Sequence, residues 1–332
     1  MVMHGRGTDL KRIVLLNCSL LLAGIASAHH AAIEYGDAER VIEGEVLAIS
    51  WRNPHVTLSL KTSNGETWRL EGGPANLYAR FDITRDAVSV GDQVRVTGNP
   101  SASGRNRLWF SSISRGDQTV VFGEFAAEYS FSNQGDELTD DKASGIFRVW
   151  NWRLQGRPTW PRDLPLRESA IAARDAWNSD DDPVHDCIAP GMPRAMTQNP
   201  YAIEFVQSDD DTILLYLTEF DSVRTIHMDG SPPPPGAAST PLGYSVGWWG
   251  EEELVVRTTS IDYPLFDRTG IPQSPSVEIF ERFSVSADES ELRYQITLED
   301  PETLTEPIQG SKLWAWIPGR ERLPYDCAIP DF

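Results

Sequence analysis

Positive charge is scarce in this 332-residue chain, where 29 lysine and arginine residues stand against 49 aspartate and glutamate residues and the formal net charge is −20. Proteins hold nucleic acid mainly by neutralising its phosphates with cationic side chains. The shortage therefore excludes nucleic acid as a partner, and it disfavours anionic membrane surfaces for the same reason. We interpret the acidity as a source of solubility outside the cytoplasm.

The chain also lacks several short motifs of established enzyme classes. It contains no phosphate-binding loop, no GxGxxG pattern after a strand, no HExxH zinc motif and no CxxCH haem-attachment site. A serine triad leaves no local motif, so that chemistry stays open. We leave enzymatic activity undecided and favour a binding protein over an enzyme.

Cysteine is nearly absent. Cys18 lies in an apolar run near the N-terminus, which leaves Cys187 and Cys327, and no CysxxCys pattern for zinc is present. In an exported protein two such cysteines are typical of a disulfide. We predict a Cys187–Cys327 bridge, which implies that both cysteines belong to one domain whose ends meet.

The apolar run, residues 13–25, is shorter than the ~20 residues that a membrane span requires. It follows basic residues and ends at Ala26-Ser27-Ala28, the small-residue pattern of a signal-peptidase site. Residues 1–28 are therefore predicted to be a signal peptide, removed on export to the periplasm or the medium, with no stable membrane insertion afterwards. His29 then becomes the first residue of the mature protein, followed by His30.

Residues 29–117 have the pattern of a small β-barrel. Val56, Leu58 and Leu60 alternate with polar residues as in a strand, and Asn64-Gly65 is a hairpin turn. Five short strands predict a barrel of the oligonucleotide/oligosaccharide-binding (OB) type, an architecture that does not by itself decide function. The polar, acidic stretch 118–144 is predicted to be a linker.

Residues 145–332 are predicted to form a larger antiparallel β-barrel or meander with one short helix, closed by the disulfide, so the whole chain is all-β in class. Leu166, Ala170, Ala173 and Trp177 share one face at helical spacing. A closed barrel would leave few unpaired strand edges. Period-two patterning places strands at 201–207, 212–220, 222–228, 243–249, 253–259, 276–285 and 292–299.

Two sets of motifs resemble bacterial families of no established activity. Residues 29 to about 117 resemble an uncharacterised family of secreted bacterial domains, and the second domain resembles uncharacterised exported bacterial proteins. In the latter family the position of Tyr244 is often occupied by histidine, whereas this chain has tyrosine there. The first resemblance rests on His29-His30-Ala31, Ile33-Glu34-Tyr35, Trp51-x-Asn53-Pro54-His55 and 91–98; the second rests on 190–194, 224–230, 243–249 and 299–301.

The candidate metal site is a histidine brace at the mature N-terminus. His29 would chelate copper through its α-amine and one ring nitrogen, His55 would supply a third nitrogen, and His30 could replace either of them. His55 is expected at the mouth of its strand, because Val56, Leu58 and Leu60 take the core. The alternative is that Asn53-Pro54-His55 is a simple turn and that the terminal histidines are solvated.

The second domain offers two further candidates. Trp248, Trp249, Trp314, Trp316 and His227 could line a pocket for a flat ligand, although tryptophans in such a domain can equally fill the core. Glu219, Asp221, Arg224 and His227, with Glu281, could form an acid–base cluster. Strand alternation opposes that cluster, because it puts Arg224 and His227 on opposite faces.

The acidic stretch 180–182 lacks the spacing of a calcium loop and is expected to be solvated.

These observations favour an exported two-domain accessory protein that binds a small ligand or a protein partner, with a candidate copper site at its mature N-terminus. Two alternatives stay open. One is a copper-dependent oxidoreductase that uses the histidine brace, and the other is a β-barrel carrier of a small apolar or aromatic ligand.

Overall fold

The chain folds into a small β-barrel followed by a larger one, which confirms the all-β prediction. The predicted signal peptide, His29, His30 and most of the predicted linker lie outside the described residues. The computed structural model describes residues 35, 36, 38–79, 83–102, 104–122, 145–152, 160, 161, 163–178, 181–199, 201–319 and 321–328.

Five strands close the first barrel in the order β3-β2-β1-β4-β5, with β5 returning to pair with β3. The β3–β5 pair is parallel and the other pairs are antiparallel, which is the OB-type arrangement that the strand count predicted. The strands are β1 (Arg40–Ser50), β2 (Thr57–Thr62), β3 (Thr67–Glu71), β4 (Gln93–Pro100) and β5 (Arg107–Arg115), and β6 (Gln118–Val121) pairs with β5 at the edge.

The core of this barrel follows from strand alternation. Val56, Leu58 and Leu60 are fully buried, as predicted, and the turn at Gly65 has the positive φ of 87° that a tight hairpin favours in glycine. The sheet extends past the expected start of the linker, because β6 is rich in β-branched residues and Phe122 packs into the core behind it.

Nine strands close the second barrel in the order β10-β11-β12-β13-β14-β15-β7-β8-β9, with β9 pairing back to β10. The β10–β11 pair is parallel, because the connection 228–243, which carries the four prolines 232–235, is long enough to cross over. The strands are β7 (Val149–Trp152), β8 (Ile203–Asp209), β9 (Thr212–Leu217), β10 (Ser222–His227), β11 (Tyr244–Trp249), β12 (Glu253–Thr259), β13 (Glu278–Val285), β14 (Glu291–Glu299) and β15 (Ile308–Ala315).

Short helices cover the barrels. Helix α1 (Ala75–Ala79) belongs to the first barrel, while α2 (Glu168–Ala176) and α3 (Arg194–Thr197) belong to the second. The predicted helix is α2, which buries Ala170 but leaves Ala173 exposed. Helix α3 was not predicted, and its four residues are all buried beside the barrel core. None of the helices in the described ranges is long and apolar enough to cross a membrane.

A disulfide joins Cys187 to Cys327, as predicted, with the two Cα atoms 5.9 Å apart. Cys187 follows a 3₁₀ turn, Pro183–Asp186, and Cys327 lies in the C-terminal segment after β15. That segment also reaches the first barrel, because Cys327 forms a parallel β-bridge with Asn53. The disulfide therefore lies where the two barrels meet.

Candidate site between the two barrels

The segment Asn53-Pro54-His55 connects β1 to β2 and contacts the second barrel. The backbone N–H of Asn53 donates to the carbonyl of Asp326 at 3.2 Å, and the N–H of Ala328 donates to the carbonyl of Asn53 at 3.0 Å. On its other side the buried Asn53 side chain accepts a hydrogen bond from the backbone N–H of Asn76 at 3.3 Å. The segment that carries His55 is therefore held by both barrels.

His185 of the second barrel faces His55 across this junction. The two ring centroids are 5.9 Å apart and the ring planes are inclined by 56°. An imidazole nitrogen binds a metal at about 2.0–2.1 Å, so each ring centroid lies about 3 Å from the ion and two rings on one ion have centroids no more than about 6 Å apart. The spacing of His55 and His185 is within that limit.

The turn that carries His185 is fixed from behind by a buried ion pair. The Asp182 carboxylate caps the turn by accepting the backbone N–H of Val184 at 3.2 Å. Arg194 on α3 donates to both oxygens of the same carboxylate at 2.8 Å. Asp182 is therefore not the solvated residue that the sequence predicted, because an arginine from a helix that was not predicted reaches it.

Aromatic and acidic side chains of the first barrel surround His55. Trp109 meets the His55 ring edge-on at 5.3 Å between centroids, and Tyr35 lies 5.8 Å from Trp109. The Tyr35 hydroxyl donates to the Glu71 carboxylate at 2.8 Å. Burial raises the pKa of Glu71, but His55 and the Tyr35 hydrogen bond outweigh it, so its pKa lies below the ordinary value.

Burial also keeps the His55 imidazole neutral. Desolvation lowers the pKa of His55 to about 4, the Glu71 and Asp182 carboxylates oppose this shift, and the Arg268 guanidinium adds to it. A neutral imidazole has an unprotonated ring nitrogen that can accept a proton or bind a metal ion. His55 therefore has a nitrogen lone pair available at neutral pH.

Two more ionisable groups, the partly buried Glu219 and the buried Lys312, lie behind Arg194. Desolvation raises the pKa of Glu219 to about 7 and lowers the pKa of Lys312 to about 7. The Lys312 ammonium donates to the backbone carbonyls of Met196, at 3.0 Å, and Asn199. Lys312 on β15 therefore ties the segment around α3 to the barrel.

The predicted site residues of the second barrel do not form one pocket. Trp314 is fully buried in the core, Trp316 packs against Arg148 with 4.5 Å between the guanidinium and the ring, and His227 stacks on Tyr244 at 4.4 Å between centroids. Trp249 lines a small cavity together with Phe147 and other residues, while Trp248 is exposed.

The acid–base cluster considered from the sequence is divided by strand alternation, as expected. Arg224 points into the barrel and pairs with Glu281, whereas His227 lies on the other face of β10. Arg224 also donates to Ser245 at 2.9 Å and to Thr258 at 2.6 Å. The side chains of this network hydrogen-bond one another inside the barrel, so we assign the network to the stability of the barrel and not to a reaction.

Little in the sequence pointed to a role for His185. Its signal was its position two residues before a cysteine that was expected to be bridged. Over the described ranges, no group of three or more histidine, cysteine, aspartate or glutamate side chains is arranged to hold a metal ion. His55 and His185 supply two nitrogens, so a complete metal site needs ligands from elsewhere, and His29 and His30 lie outside the described residues.

Comparison with known families supports only the first barrel's resemblance. Residues 18–108 match the model of a family of unknown function (DUF6152), a range that contains His29, His30 and His55. This agrees with the predicted likeness to an uncharacterised family. No curated protein matches the chain.

Proposed function

We propose that this protein is an exported copper-binding accessory protein whose metal site lies between the two barrels. His55 and His185 would each supply a ring nitrogen, and the mature N-terminal His29 would supply its α-amine and its ring nitrogen. The observation that supports this proposal is the 5.9 Å separation of the His55 and His185 rings, which come from different barrels.

The ligand chemistry favours copper. Imidazole and amine nitrogens suit Cu(II), which also has the highest affinity in the divalent series. His55 has a lowered pKa of about 4, so no proton competes for its nitrogen at neutral pH. An α-amine has an ordinary pKa near ~7.7, so copper can displace its proton as well.

The length of the N-terminal segment is compatible with a ligand at His29. Tyr35 lies six positions after His29, and an extended chain covers at most ~3.6 Å per residue, or about 22 Å in all. Tyr35 packs against Trp109, and Trp109 contacts the His55 ring. Tyr35, the first described residue after His29, therefore lies on the side of the barrel that carries His55.

The test uses the exported, signal-trimmed protein. Intact mass first establishes whether the chain begins at His29. Isothermal titration with Cu(II) should then give one tight equivalent, and His29→Ala, His55→Ala and His185→Ala should each weaken it at least about tenfold. His227→Ala is the matched control, because His227 stacks on Tyr244 elsewhere, and it should bind copper like the parent.

Two further variants locate the amine ligand. The tripeptide Gly-Ser-Gly added before His29 keeps every imidazole, converts the α-amine of His29 to an amide and moves both histidines beyond the third position. It should weaken copper binding as much as His29→Ala. His30→Ala tests the substitute ligand and should leave binding intact. Unchanged affinity in both His55→Ala and His185→Ala would refute the site between the barrels.

Oxygen uptake separates an accessory protein from an oxidoreductase. We expect the copper-loaded protein with ascorbate to consume oxygen no faster than an equal amount of copper held by a histidine-rich peptide. Uptake that is faster than the peptide and is lost in His55→Ala would instead identify the copper-dependent oxidoreductase.

A further inference from the structure

The open end of the second barrel holds a cavity that the copper site does not use. Its volume is about 280 Å³. The lining is mostly apolar and comes from the segment before β7, the β11–β12 turn and the end of β13: Gly145, Ile146, Phe147, Trp249, Glu252, Phe283 and Val285.

The size of the cavity limits its ligand. A cavity of ~150 Å³ lined by apolar side chains holds one benzene ring. The volume of about 280 Å³ is close to twice that, which suits two fused rings but not a long lipid chain. The cavity can therefore hold a molecule of the size of two fused rings.

Aromatic side chains give the cavity its shape. Trp249 is 53% exposed and meets Phe147 edge-on with 6.1 Å between ring centroids. Phe283 is buried beneath them and packs on Phe205 and Tyr294. Trp249 thus offers an exposed ring at the mouth above an apolar floor, an arrangement that suits a flat ligand.

The part of the cavity wall formed by Gly145, Ile146 and Phe147 is held in place by charged contacts. The backbone N–H of Gly145 donates to the Glu289 carboxylate at 3.3 Å, and the Arg148 guanidinium donates to the carbonyl of Gly145 at 2.7 Å. Arg148 also pairs with Glu289 and lies over the rings of Trp150 and Trp316. These contacts hold the start of the second barrel in place at the cavity, and Trp316 supports it indirectly through Arg148.

Charge selects among bicyclic ligands. Among the described residues that line the cavity, Glu252 alone is ionisable, and the chain carries a formal net charge of −20. An anionic ligand would be repelled by both, whereas an ammonium group would be attracted to the Glu252 carboxylate and to the Trp249 ring face.

We propose that this cavity binds a small bicyclic aromatic molecule with a cationic group, stacked against Trp249 with its cation at Glu252. The site is independent of copper. It is where the second barrel would bind its ligand if the protein is a carrier of a small aromatic molecule.

Equilibrium dialysis of the mature protein tests the proposal with two probes of one shape, 1-naphthylmethylamine and 1-naphthoate. The amine should bind at one saturable equivalent and at least about tenfold more tightly than the carboxylate. Glu252→Gln should remove most of that preference. Absence of saturable amine binding would overturn the proposal.

Adjacent tryptophans provide a matched pair of variants. Strand alternation on β11 turns Trp249 inward and Trp248, 45% exposed, outward. Trp249→Ala should weaken amine binding at least about tenfold, while Trp248→Ala should leave it unchanged. Equal losses in the two variants would show surface adsorption and refute the cavity. His55→Ala and copper removal should not alter amine binding, so failure of the copper proposal would leave this one intact.

Discussion

Asn53 in the first barrel pairs with Cys327 near the C-terminus as a parallel β-bridge. The disulfide from Cys327 continues to Cys187, two residues after His185. Backbone pairing and one covalent bond therefore connect the segment of His55 to the turn of His185. The position of the two rings depends on this connection.

Removing the disulfide should loosen the histidine pair as well as the fold. The bridge closes a loop of 140 residues, for which the chain-entropy model gives about 4–5 kcal/mol of stabilisation. We expect Cys187→Ser/Cys327→Ser to lower the free energy of unfolding by about that amount in urea titration. Copper affinity, measured where the variant is still folded, should fall about 10- to 100-fold, as for other supports of metal ligands. If the variant bound copper as tightly as the parent, the disulfide would not be needed to position the two histidines.

The Asp182–Arg194 ion pair should be important for stability because it is buried. Arg194→Met leaves the Asp182 carboxylate without its partner, which costs about 3–5 kcal/mol at a buried site. Urea unfolding measures the loss. The control is Arg174→Met, whose exposed pair with Asp175 on α2 should contribute less than about 0.5 kcal/mol. A loss below about 1 kcal/mol for Arg194→Met would contradict the argument.

Much of the fold could be predicted because alternation survives in most strands. The strand predicted at 253–259 has the same bounds in the structure. Strand β15 was missed because its inward positions include Gly310 and Lys312, which break the apolar pattern. Lys312 is tolerated there because its ammonium group donates hydrogen bonds to the backbone carbonyls of Met196 and Asn199. These are tertiary contacts, which the local sequence pattern cannot reveal.

Of the two histidines that the structure brings together, one could be predicted from the sequence. His55 stood out through its Trp-x-Asn-Pro-His motif, and the structure places it beside a second histidine. His185 was not predictable, because its approach to His55 depends on the pairing of Asn53 with Cys327, which are far apart in sequence. The roles of His29 and His30 stay predictions, to be decided by the copper titrations.

Lys312 should make stability rise with pH above neutrality. Burial lowers its folded-state pKa to about 7 from the ordinary 10.5, so between these values the unfolded chain binds more protons than the folded chain. Stability therefore increases with pH in that window, by roughly 2–4 kcal/mol between pH 7 and 9.5. Urea midpoints for the parent and Lys312→Met should diverge, with the rise reduced in the variant. Parallel pH profiles would show that Lys312 does not titrate in this range.

Glu281 should stabilise the barrel through the charge of Arg224. Both side chains are fully buried, Arg224 donates to Glu281 at 3.0 Å, and the Tyr294 hydroxyl donates to the same carboxylate at 2.9 Å. Glu281→Gln leaves the guanidinium without an anion and should lower the free energy of unfolding by about 3–5 kcal/mol. Glu278→Gln is the matched control. Glu278 lies on the same strand as Glu281 but forms an exposed pair with Arg257, so its loss should cost less than about 0.5 kcal/mol.

Replacing both buried charges, in Arg224→Met/Glu281→Leu, should restore at least about half of the loss, because no buried charge then lacks a partner. A double variant as unstable as Glu281→Gln would show that the hydrogen bonds to Ser245, Thr258 and Tyr294, rather than the charge pair, hold these five strands together.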